Sequence, residues 1–401
     1  MRVAVLGAGV AGLSAARALR RRGVDVEVFE ARPQAGGLVR SVAVAGLPFD
    51  VAGAHYVPLG NPLLGAELNR LAPNLIWDRH LVAVEFLAGG RVWRRLPVPA
   101  LASGLRAGCR RGGRPDAPLD EQLRHAYGSW LADRWLGPWA ERLWGEPVHK
   151  LQVDDDGPLL PGIPTVGPVS PRWLWRNRHV VSRARSTQSM GYPQGGMSAL
   201  VDTLADGLKV HTHHEVASLQ RRPEGWRVDS AGLFDAVVST LPARAMLDAL
   251  GESADQVPLE ATRLTVGCFD APNAEQERHT IRFVIDDVGL PGCHRLVERR
   301  QSGRLRTHVD VTGVASEAEL AALGDRLGLG ELVGHETTED SFPIPRAGTG
   351  AAAVELRHRC LDRGIVWTGR WALRPSSIEF ALLDGPRIAK AVLEHHQEFS
   401  R

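Results

Sequence analysis

The residues best suited to chemistry at the start of this 401-residue chain are three glycines, Gly7, Gly9 and Gly12. The apolar run from Val3 to Leu6 precedes them and an Ala- and Leu-rich amphipathic stretch follows, which predicts a strand, a tight turn and a helix. In such a unit the glycines permit the turn, the approach of a pyrophosphate and close helix packing. The helix N-terminus favours negative charge. The pattern predicts a dinucleotide site, and the alternative is a βαβ unit without a ligand.

A carboxylate follows at Glu30, at the end of the predicted strand from Val24 to Phe29. It lies about 20 residues beyond the glycines, where a carboxylate accepts hydrogen bonds from the ribose hydroxyls of a dinucleotide. A 2′-phosphate would require an arginine at this place. The acid therefore favours a cofactor that lacks this phosphate.

Two further glycine-containing turns are unusual for a simple nicotinamide dehydrogenase. The first contains Gly36 and Gly37, whose backbone can pass close to a longer ligand, and Arg40, which can pair with a phosphate. The second has Gly53 and Ala54 directly before His55. Both turns indicate a ligand that extends beyond the first glycine motif.

Composition restricts the class of protein. Apolar residues make up 44% and charged residues 23%, which is ordinary for a soluble chain, and the net charge of +2 is too small to indicate nucleic acid as a partner. The four cysteines are scattered, which predicts no metal site and no disulfide framework. No stretch resembles a signal peptide or an integral membrane segment. We expect a cytoplasmic protein with a small-molecule substrate, and its oligomeric state stays open.

Together the motifs resemble the superfamily of amine oxidases, protoporphyrinogen-oxidase-like proteins, phytoene desaturases and UDP-galactopyranose mutases. The resemblance rests on the glycine motif with its acid, on A-G-G-L-V-R-S at 35–41, F-D-V-A-G-A-H-Y at 49–56, Y-P-Q-G-G-M at 192–197 and Gly-Arg at 369–370. It implies FAD as the cofactor. The adenine half would lie at the first motif, and the isoalloxazine beside 53–55 and the first turn of the C-terminal helix.

The cofactor-binding residues that this resemblance implies are spread along the whole chain. They are Gly7, Gly9, Val10, Ala11, Gly12, Glu30, Ala31, Arg32, Gly36, Gly37, Leu38, Arg40, Gly53, Ala54, His55, Val216, Thr240, Leu241, Gly369, Arg370, Ser377, Ile378 and Glu379. The resemblance places 369–370 at the flavin pyrophosphate, and Ser376 or Ser377 would cap the last helix. His55 is the catalytic candidate beside the flavin. The alternative is a turn histidine that only hydrogen-bonds the backbone.

The predicted fold is α/β, with a Rossmann-like FAD-binding domain on a three-layer, mostly parallel sheet and an inserted α+β substrate domain. We expect the first domain to comprise 1–90, 185–263 and 341–401, and the second to comprise 91–184 and 264–340. Strands are predicted at 81–86 and 91–96 around a Gly-Gly turn, with a single strand at 210–219. Ser316 and Glu319 predict a capping box that opens a helix to 327.

The predicted substrate domain is rich in tryptophan and arginine. The string L-G-P-W-A-E-R-L-W-G at 136–145 resembles a signature of the protoporphyrinogen-oxidase-like and mutase-like proteins. Its tryptophans form either a wall for a substrate ring or ordinary core packing. The substrate candidates are Arg94, Trp139, Arg172, Trp175, Arg295, Arg346 and Trp371. The arginines could hold an anion, or they could form solvated surface.

No Ser-His-Asp, Cys-His or paired-carboxylate arrangement is evident, so a bound flavin would carry the chemistry. We expect an FAD-dependent oxidoreductase that moves a hydride to flavin N5 from a small polar metabolite, such as a nucleotide sugar or another anion. The electrons would pass to O2 or another acceptor. The alternative is a non-redox isomerase similar to UDP-galactopyranose mutase, although 371–377 lacks the tyrosines of those enzymes. A binding module without catalysis is the third possibility.

Overall fold

The computed structural model describes residues 1–94, 97–100, 102–103, 116–154, 160, 187–254, 257–272, 279–372 and 377–399. In chain order the strands are β1 (Arg2–Leu6), β2 (Asp25–Phe29), β3 (Ser41–Val44), β4 (Leu47–Asp50), β5 (Trp77–Ala88), β6 (Arg91–Trp93), β7 (Thr187–Pro193), β8 (Lys209–His211), β9 (Leu219–Arg222), β10 (Gly225–Val228), β11 (Gly232–Phe234), β12 (Ala236–Ser239), β13 (Leu264–Pro272), β14 (His279–Val284), β15 (Cys293–Gln301), β16 (Arg304–Thr312), β17 (Glu331–Thr338) and β18 (Ile365–Trp367).

The principal helices lie between and after these strands. They are α1 (Val10–Arg20), α2 (Pro62–Leu71), α3 (Leu119–Tyr127), α4 (Gly137–Trp144), α5 (Met197–Ala205), α6 (Ala243–Ala249), α7 (Glu317–Leu327), α8 (Thr349–Asp362) and α9 (Ile378–Phe399). A short helical turn at Ser129–Leu131 and a π-helical segment at Ala132–Leu136 lead into α4. Among the helices described, none combines the length and apolar character that crossing a bilayer requires.

A five-stranded sheet in the order β18-β12-β1-β2-β8 forms the first part of the fold, and every pairing in it is parallel. Its central strands are apolar on both faces. Val3 and Val5 of β1 pack with α1, α5 and α9, whereas Ala4 and Leu6 pack against the opposite layer. That layer contains α6, α8 and the three-stranded sheet β11-β10-β9. The predicted α/β class with a mostly parallel sheet in three layers is therefore confirmed.

The second part of the fold is an eight-stranded, mostly antiparallel sheet. Its order is β17-β13-β16-β15-β14-β5-β6, and β7 also pairs with β5. The helices α3 and α4 pack on it through a core that includes Trp135, Trp139, Leu143 and Phe283. The strands β5 and β7 belong to this sheet, although 1–90 and 185–263 were assigned from sequence to the other domain. The remaining domain boundaries stay a prediction.

Several local predictions can be compared directly with the structure. The Gly-Gly hairpin is confirmed by the pairing of Ala88 with Arg91, and the capping box of Ser316 and Glu319 opens α7. The single strand predicted at 210–219 is wrong. The strand β8 ends at His211, His213 has a left-handed φ of 53°, and β9 begins in a different sheet. This break carries the intervening residues across the end of the parallel sheet.

Candidate functional site

A crevice of about 720 Å³ runs along the carboxyl ends of the parallel strands and under the second sheet. Each of four parallel strands sends its next residues into this crevice. Gly7 follows β1, Glu30 follows β2, Thr240 follows β12, and Gly369 comes shortly after β18. Ligands of open parallel sheets bind at this edge, so the topology assembles the predicted cofactor residues.

The glycine turn after β1 is built by close backbone contacts. Gly7 has a φ of 94°, and a Cβ on it would lie 2.4 Å from Thr240 Oγ1. A Cβ on Gly12 would lie 2.0 Å from the carbonyl oxygen of Gly7. Both positions therefore exclude any side chain for reasons of packing. Gly9 differs, because a Cβ on it would have only the Cα of Gly37 nearby, at 4.0 Å. Gly9 also lines the crevice.

The N-terminus of α1 is open to an anion. The helix begins after Gly9, which provides no side-chain cap, and its first turn holds no acidic residue. Its first N–H groups have no intrahelical partner, and they favour negative charge. The backbone of Gly36 donates to the carbonyl oxygen of Ala8 at 2.8 Å, so the second glycine turn lies against the first. This cradle fits the pyrophosphate of FAD.

Glu30 occupies the position expected of a ribose-binding acid. Its buried carboxylate accepts the N–H of Ala8 at 2.8 Å and the N–H of Arg32 at 3.1 Å. An ionised carboxylate has about four acceptor positions, so two remain for ribose hydroxyls. The residues that follow β8, among them His214 and Val216, line the crevice beside this acid. The donors and acceptors at this end fit the adenosine half of the cofactor.

His55 lies at the other end of the predicted cofactor path. It lines the crevice together with Ala54, Ser377 and Ile378. Burial lowers the pKa of its imidazole from 6.5 to about 4, so the ring is neutral at pH 7. Its Nδ1 is buried and has no hydrogen-bond partner in the described part of the chain. The hydroxyl of Ser377 accepts the N–H of Phe380 at 3.4 Å and thereby caps the first turn of α9.

A buried charged cluster holds the turn of His55 in place. Asp50 accepts the backbone N–H of His55 at 3.2 Å, the hydroxyl of Tyr192 at 2.7 Å and the guanidinium of Arg299 at 2.6 Å. Arg299 also lies over the Tyr192 ring, 3.8 Å from its centroid. Despite burial, this arginine helps hold the pKa of Asp50 at about 2. The cluster was missed from sequence because its members come from β4, β7 and β15.

The end of the crevice under the second sheet is aromatic and cationic. Trp139 is 1% exposed, its indole N–H donates to the carbonyl oxygen of His294 at 2.9 Å, and its ring meets Phe283 edge-on at 5.4 Å. It also lines the crevice, as do Arg295 and Arg370. Trp139 therefore packs in the core, as one alternative has it, and also lines the crevice, while its contact with a substrate ring stays a prediction.

Most of the predicted site residues meet in this one crevice. Those that line it are Gly7, Gly9, Val10, Ala11, Glu30, Ala31, Arg32, Gly36, Gly37, Leu38, Ala54, His55, Val216, Thr240, Leu241, Gly369, Arg370, Ser377, Ile378, Trp139, Arg295 and Trp371. The predicted substrate residues Arg172 and Trp175 lie outside the described residues, as does Ser376.

Four predicted cofactor residues lie away from the crevice lining. Gly12 allows α1 to pack closely on the glycine turn. Gly53 lies close to Arg295, because a Cβ on this glycine would be 2.9 Å from a guanidinium nitrogen of that arginine. Arg40 pairs with Glu336 at 3.4 Å instead of facing the crevice. The carboxylate of Glu379 accepts a hydrogen bond from the side chain of Asn61. None of these four lines the crevice, and their part in binding the cofactor stays a prediction.

Two predicted substrate arginines are also placed elsewhere. Arg94 is largely exposed and pairs with Glu85 at 2.8 Å. Arg346 pairs with Glu146 and, at 2.7 Å, with Glu260. Neither lines the crevice, because each is held by carboxylates outside it. Both are ion-paired outside the crevice lining, and a contact of either with the substrate stays an untested prediction.

Sequence reasoning missed another set of lining residues. They include Phe29, Tyr56, His214, Glu215, Pro242, Phe283, His294, Asp340, Phe342, Thr368 and Asp384. Some had a usable signal, because Pro242 and Thr368 adjoin predicted site residues at strand ends. Phe283 and His294 had none, since only the pairing of β14 and β15 brings them to the crevice.

A glycine turn, an acid at the end of the second strand and a long crevice on a Rossmann-like sheet define a dinucleotide-binding protein. The family model described as NAD(P)-binding Rossmann-like domain matches residues 5–71, and that described as flavin containing amine oxidoreductase matches residues 171–264. Both matches are similar to parts of the FAD-dependent amine-oxidase-like superfamily, and the cofactor that they indicate is FAD.

One relative is similar to this chain over a short stretch of sequence, and two solved structures are similar to it in fold. Protoporphyrinogen oxidase 2, chloroplastic/mitochondrial, of Arabidopsis thaliana is 49% identical over 70 residues, which cover 18% of this chain and 14% of that protein. A solved structure of reduced UDP-galactopyranose mutase has a TM-score of 0.75 at 18% identity and covers 98% of this chain and 95% of its own. A putative protoporphyrinogen oxidase from Exiguobacterium sp. has a TM-score of 0.72 at 14% identity, with coverage of 98% and 99%. The structural likenesses show a shared fold.

Proposed function

We propose that the protein is an FAD-dependent oxidoreductase that moves a hydride from a small polar metabolite to flavin N5. The observation that carries this proposal is the continuity of the crevice. It extends from Gly9 at the start of α1, past His55, to Trp139 and Phe342 under the second sheet. Cofactor and substrate would therefore share one space. The chemistry that FAD supplies when bound is hydride acceptance and the later return of electrons to an acceptor.

The chain binds and orients the cofactor from both ends. The open N-terminus of α1 and the carboxylate of Glu30 hold the adenosine diphosphate half. The first turn of α9, capped by Ser377, lines the crevice and would hold the flavin half. A helix N-terminus carries a partial positive charge, so this turn stabilises the negative charge of a reduced flavin.

The second sheet and α4 shape the substrate space. Trp139, Phe283 and Phe342 line it, and their rings exclude water and offer flat surfaces to a substrate. Burial lowers the pKa of both His55 and His294 to about 4. Both imidazoles are therefore neutral at pH 7, and each offers one unprotonated nitrogen that can accept a hydrogen bond from a substrate O–H or N–H.

A second candidate is a non-redox isomerase that acts on a nucleotide sugar. The likeness in fold to reduced UDP-galactopyranose mutase suggests it. Residues 371–377 read W-A-L-R-P-S-S, and none of them is the tyrosine that the resemblance implies for such an enzyme. This composition favours the oxidoreductase.

Anaerobic spectroscopy of the purified flavoprotein separates the two candidates. The protein is mixed with a panel of small amines, alcohols, hydroxy acids and nucleotide sugars while the visible flavin absorbance is recorded. The oxidoreductase predicts that one class bleaches the flavin and that admitting air restores the colour. Turnover of a nucleotide sugar only after dithionite reduction, without net consumption of reductant, would contradict the proposal and support the isomerase.

A further inference from the structure

The guanidinium of Arg370 is turned towards the second sheet. It donates to the carbonyl oxygen of Ser341 and lies over the ring of Phe342, 5.1 Å from its centroid. Phe342 lines the substrate end of the crevice. The resemblance implied a contact between the Gly-Arg step and the flavin pyrophosphate, whose cradle lies at Gly9 and Gly36. The observed direction of Arg370 places its charge away from that cradle.

A second arginine lies close enough to influence the charge of the first. Arg295 enters the crevice from β15, and burial, followed by the positive charge of Arg295, lowers the pKa of Arg370 to about 10. Arg370 is therefore still charged at pH 7. Both arginines also lower the pKa of the neighbouring His55. Two guanidinium groups thus converge on the flavin-proximal end of the substrate space.

The two positive charges are not equally compensated. Asp310 is fully buried and accepts the Nε of Arg295 at 2.6 Å, which makes a neutral pair. Arg370 forms no ion pair with any carboxylate in the part of the chain that the structure describes. The acids that line the crevice hydrogen-bond elsewhere or lie near the adenosine end, as Glu30 does. Arg370 is half-buried, and a partly desolvated cation without a counter-charge carries a cost that a bound anion relieves.

We propose that Arg370 and Arg295 form the anion-binding end of the substrate site, and that the substrate carries one carboxylate or phosphate monoester group. This inference rests on the proposed function, since it identifies the substrate class of the same crevice. Guanidinium forks bind both groups through paired N–H···O bonds. Arg370 supplies the uncompensated charge, and Arg295 supplies donors that Asp310 keeps oriented. Trp139 and Phe342 would then enclose the remainder of the substrate beside His55.

The test is calorimetric titration of the FAD-loaded protein with inorganic phosphate and, separately, with malonate. We expect at least one of the two to bind and to perturb the flavin absorbance, and the preferred probe identifies the anionic group. Arg370→Met should weaken this binding by about tenfold or more, as expected for a lost charged hydrogen bond, and leave the FAD content unchanged. Arg370→Lys keeps the positive charge but not the forked pair of N–H donors. Its affinity for the probe should lie between that of the wild-type protein and that of Arg370→Met.

Arg227→Met is the matched control, because Arg227 is exposed on β10 in the three-stranded sheet and lines no part of the crevice. It should bind the probes as the wild-type protein does. The proposal is overturned if the wild-type protein binds neither probe, or if both Arg370 variants bind them unchanged. It is also overturned if Arg370→Met loses FAD, because the arginine would then serve the pyrophosphate. Anion binding without any substrate that bleaches the flavin would support the site and count against the oxidoreductase.

Discussion

The hydroxyl of Ser14 in α1 donates a hydrogen bond to the carbonyl oxygen of Leu382 in α9, at 2.9 Å and across 368 positions of the chain. Pro386 lies four residues after Leu382 within α9 and has no N–H, so it leaves this carbonyl without its helical donor. Gly385 permits the approach, since a Cβ there would lie 2.7 Å from the carbonyl oxygen of Ser14. The contact joins the helix that begins at the glycine turn to the helix whose first turn lines the flavin end.

Replacing Ser14 with alanine should lower the free energy of unfolding by about 1–3 kcal/mol, because the buried carbonyl of Leu382 would lose its donor. Restoring a donor should reduce this cost. In a Pro386→Ala background the new N–H can bond to Leu382, so Ser14→Ala should cost less there. Urea denaturation of the four proteins measures the coupling. If Ser14→Ala lowered the free energy of unfolding equally in both backgrounds, Pro386 would not be the reason that Leu382 needs Ser14 as a donor.

Gly9→Ala should remove most FAD binding and leave the apoprotein folded. The new Cβ would have 4.0 Å to its nearest protein neighbour, but it would enter the space of the pyrophosphate. Flavin content per chain and the thermal unfolding of the apoprotein are the two measurements. Gly60→Ala is the matched control, because a Cβ there meets nothing within 4 Å. If Gly9→Ala contained as much FAD as the wild-type protein, the pyrophosphate could not lie at this turn.

Glu30→Gln should weaken FAD binding by about tenfold to a hundredfold, as expected for the loss of charged hydrogen bonds to the ribose. The two backbone donors, Ala8 and Arg32, would also share a neutral group in place of a carboxylate. Fluorescence titration of the apoprotein with FAD measures the dissociation constant. The exposed residue Glu224 supplies the control substitution Glu224→Gln. An unchanged dissociation constant in Glu30→Gln would place the ribose elsewhere.

The stability of the apoprotein should fall as the pH decreases from about 6.5 towards 4. Burial lowers the pKa of His55, His279 and His294 from 6.5 to about 4, and that of His308 to about 3. Between these values the unfolded chain binds protons that the folded chain excludes. Each histidine therefore removes at most about 1.4 kcal/mol per pH unit. Asp50, with a pKa lowered to about 2, contributes only below this window.

Urea denaturation at pH 7 and at pH 5 measures this effect. His308→Gln should make the loss between the two values smaller, since one proton fewer is taken up on unfolding. His149→Gln, at an exposed position in the short helical turn that follows α4, should leave the loss unchanged. A free energy of unfolding that is equal at both pH values would mean that these imidazoles are charged in the folded protein.

The adenosine end of the site was predictable from sequence because its geometry is local. Gly7, Gly9 and Glu30 belong to one strand-turn-helix-strand unit, and their spacing alone brings them together. The substrate end depends on long-range pairing. His294 reaches the crevice only through the register of β15 with its neighbours, and the direction of Arg370 is set by Ser341, 29 positions earlier. Contacts between such distant segments leave no periodic pattern in the sequence, so they could not be predicted from it.

The break after β8 shows the same limit on a smaller scale. The apolar residues between Val210 and Leu219 are compatible with one strand, yet the chain turns at His213. The backbone N–H of His214 donates to the carbonyl oxygen of Glu30 at 2.8 Å, which ties the turn to the end of β2. This bond between distant segments outweighs the local strand propensity, and it brings Val216 to the crevice.

We infer that one crevice, from Gly9 to Trp139, holds FAD as the working cofactor. The most direct measurement is the identification by mass spectrometry of the small molecule that the purified protein releases on denaturation, with its amount per chain. The account predicts FAD at about one molecule per chain from the wild-type protein and little from Gly9→Ala. Release of NAD, of FMN or of no nucleotide at all would contradict it.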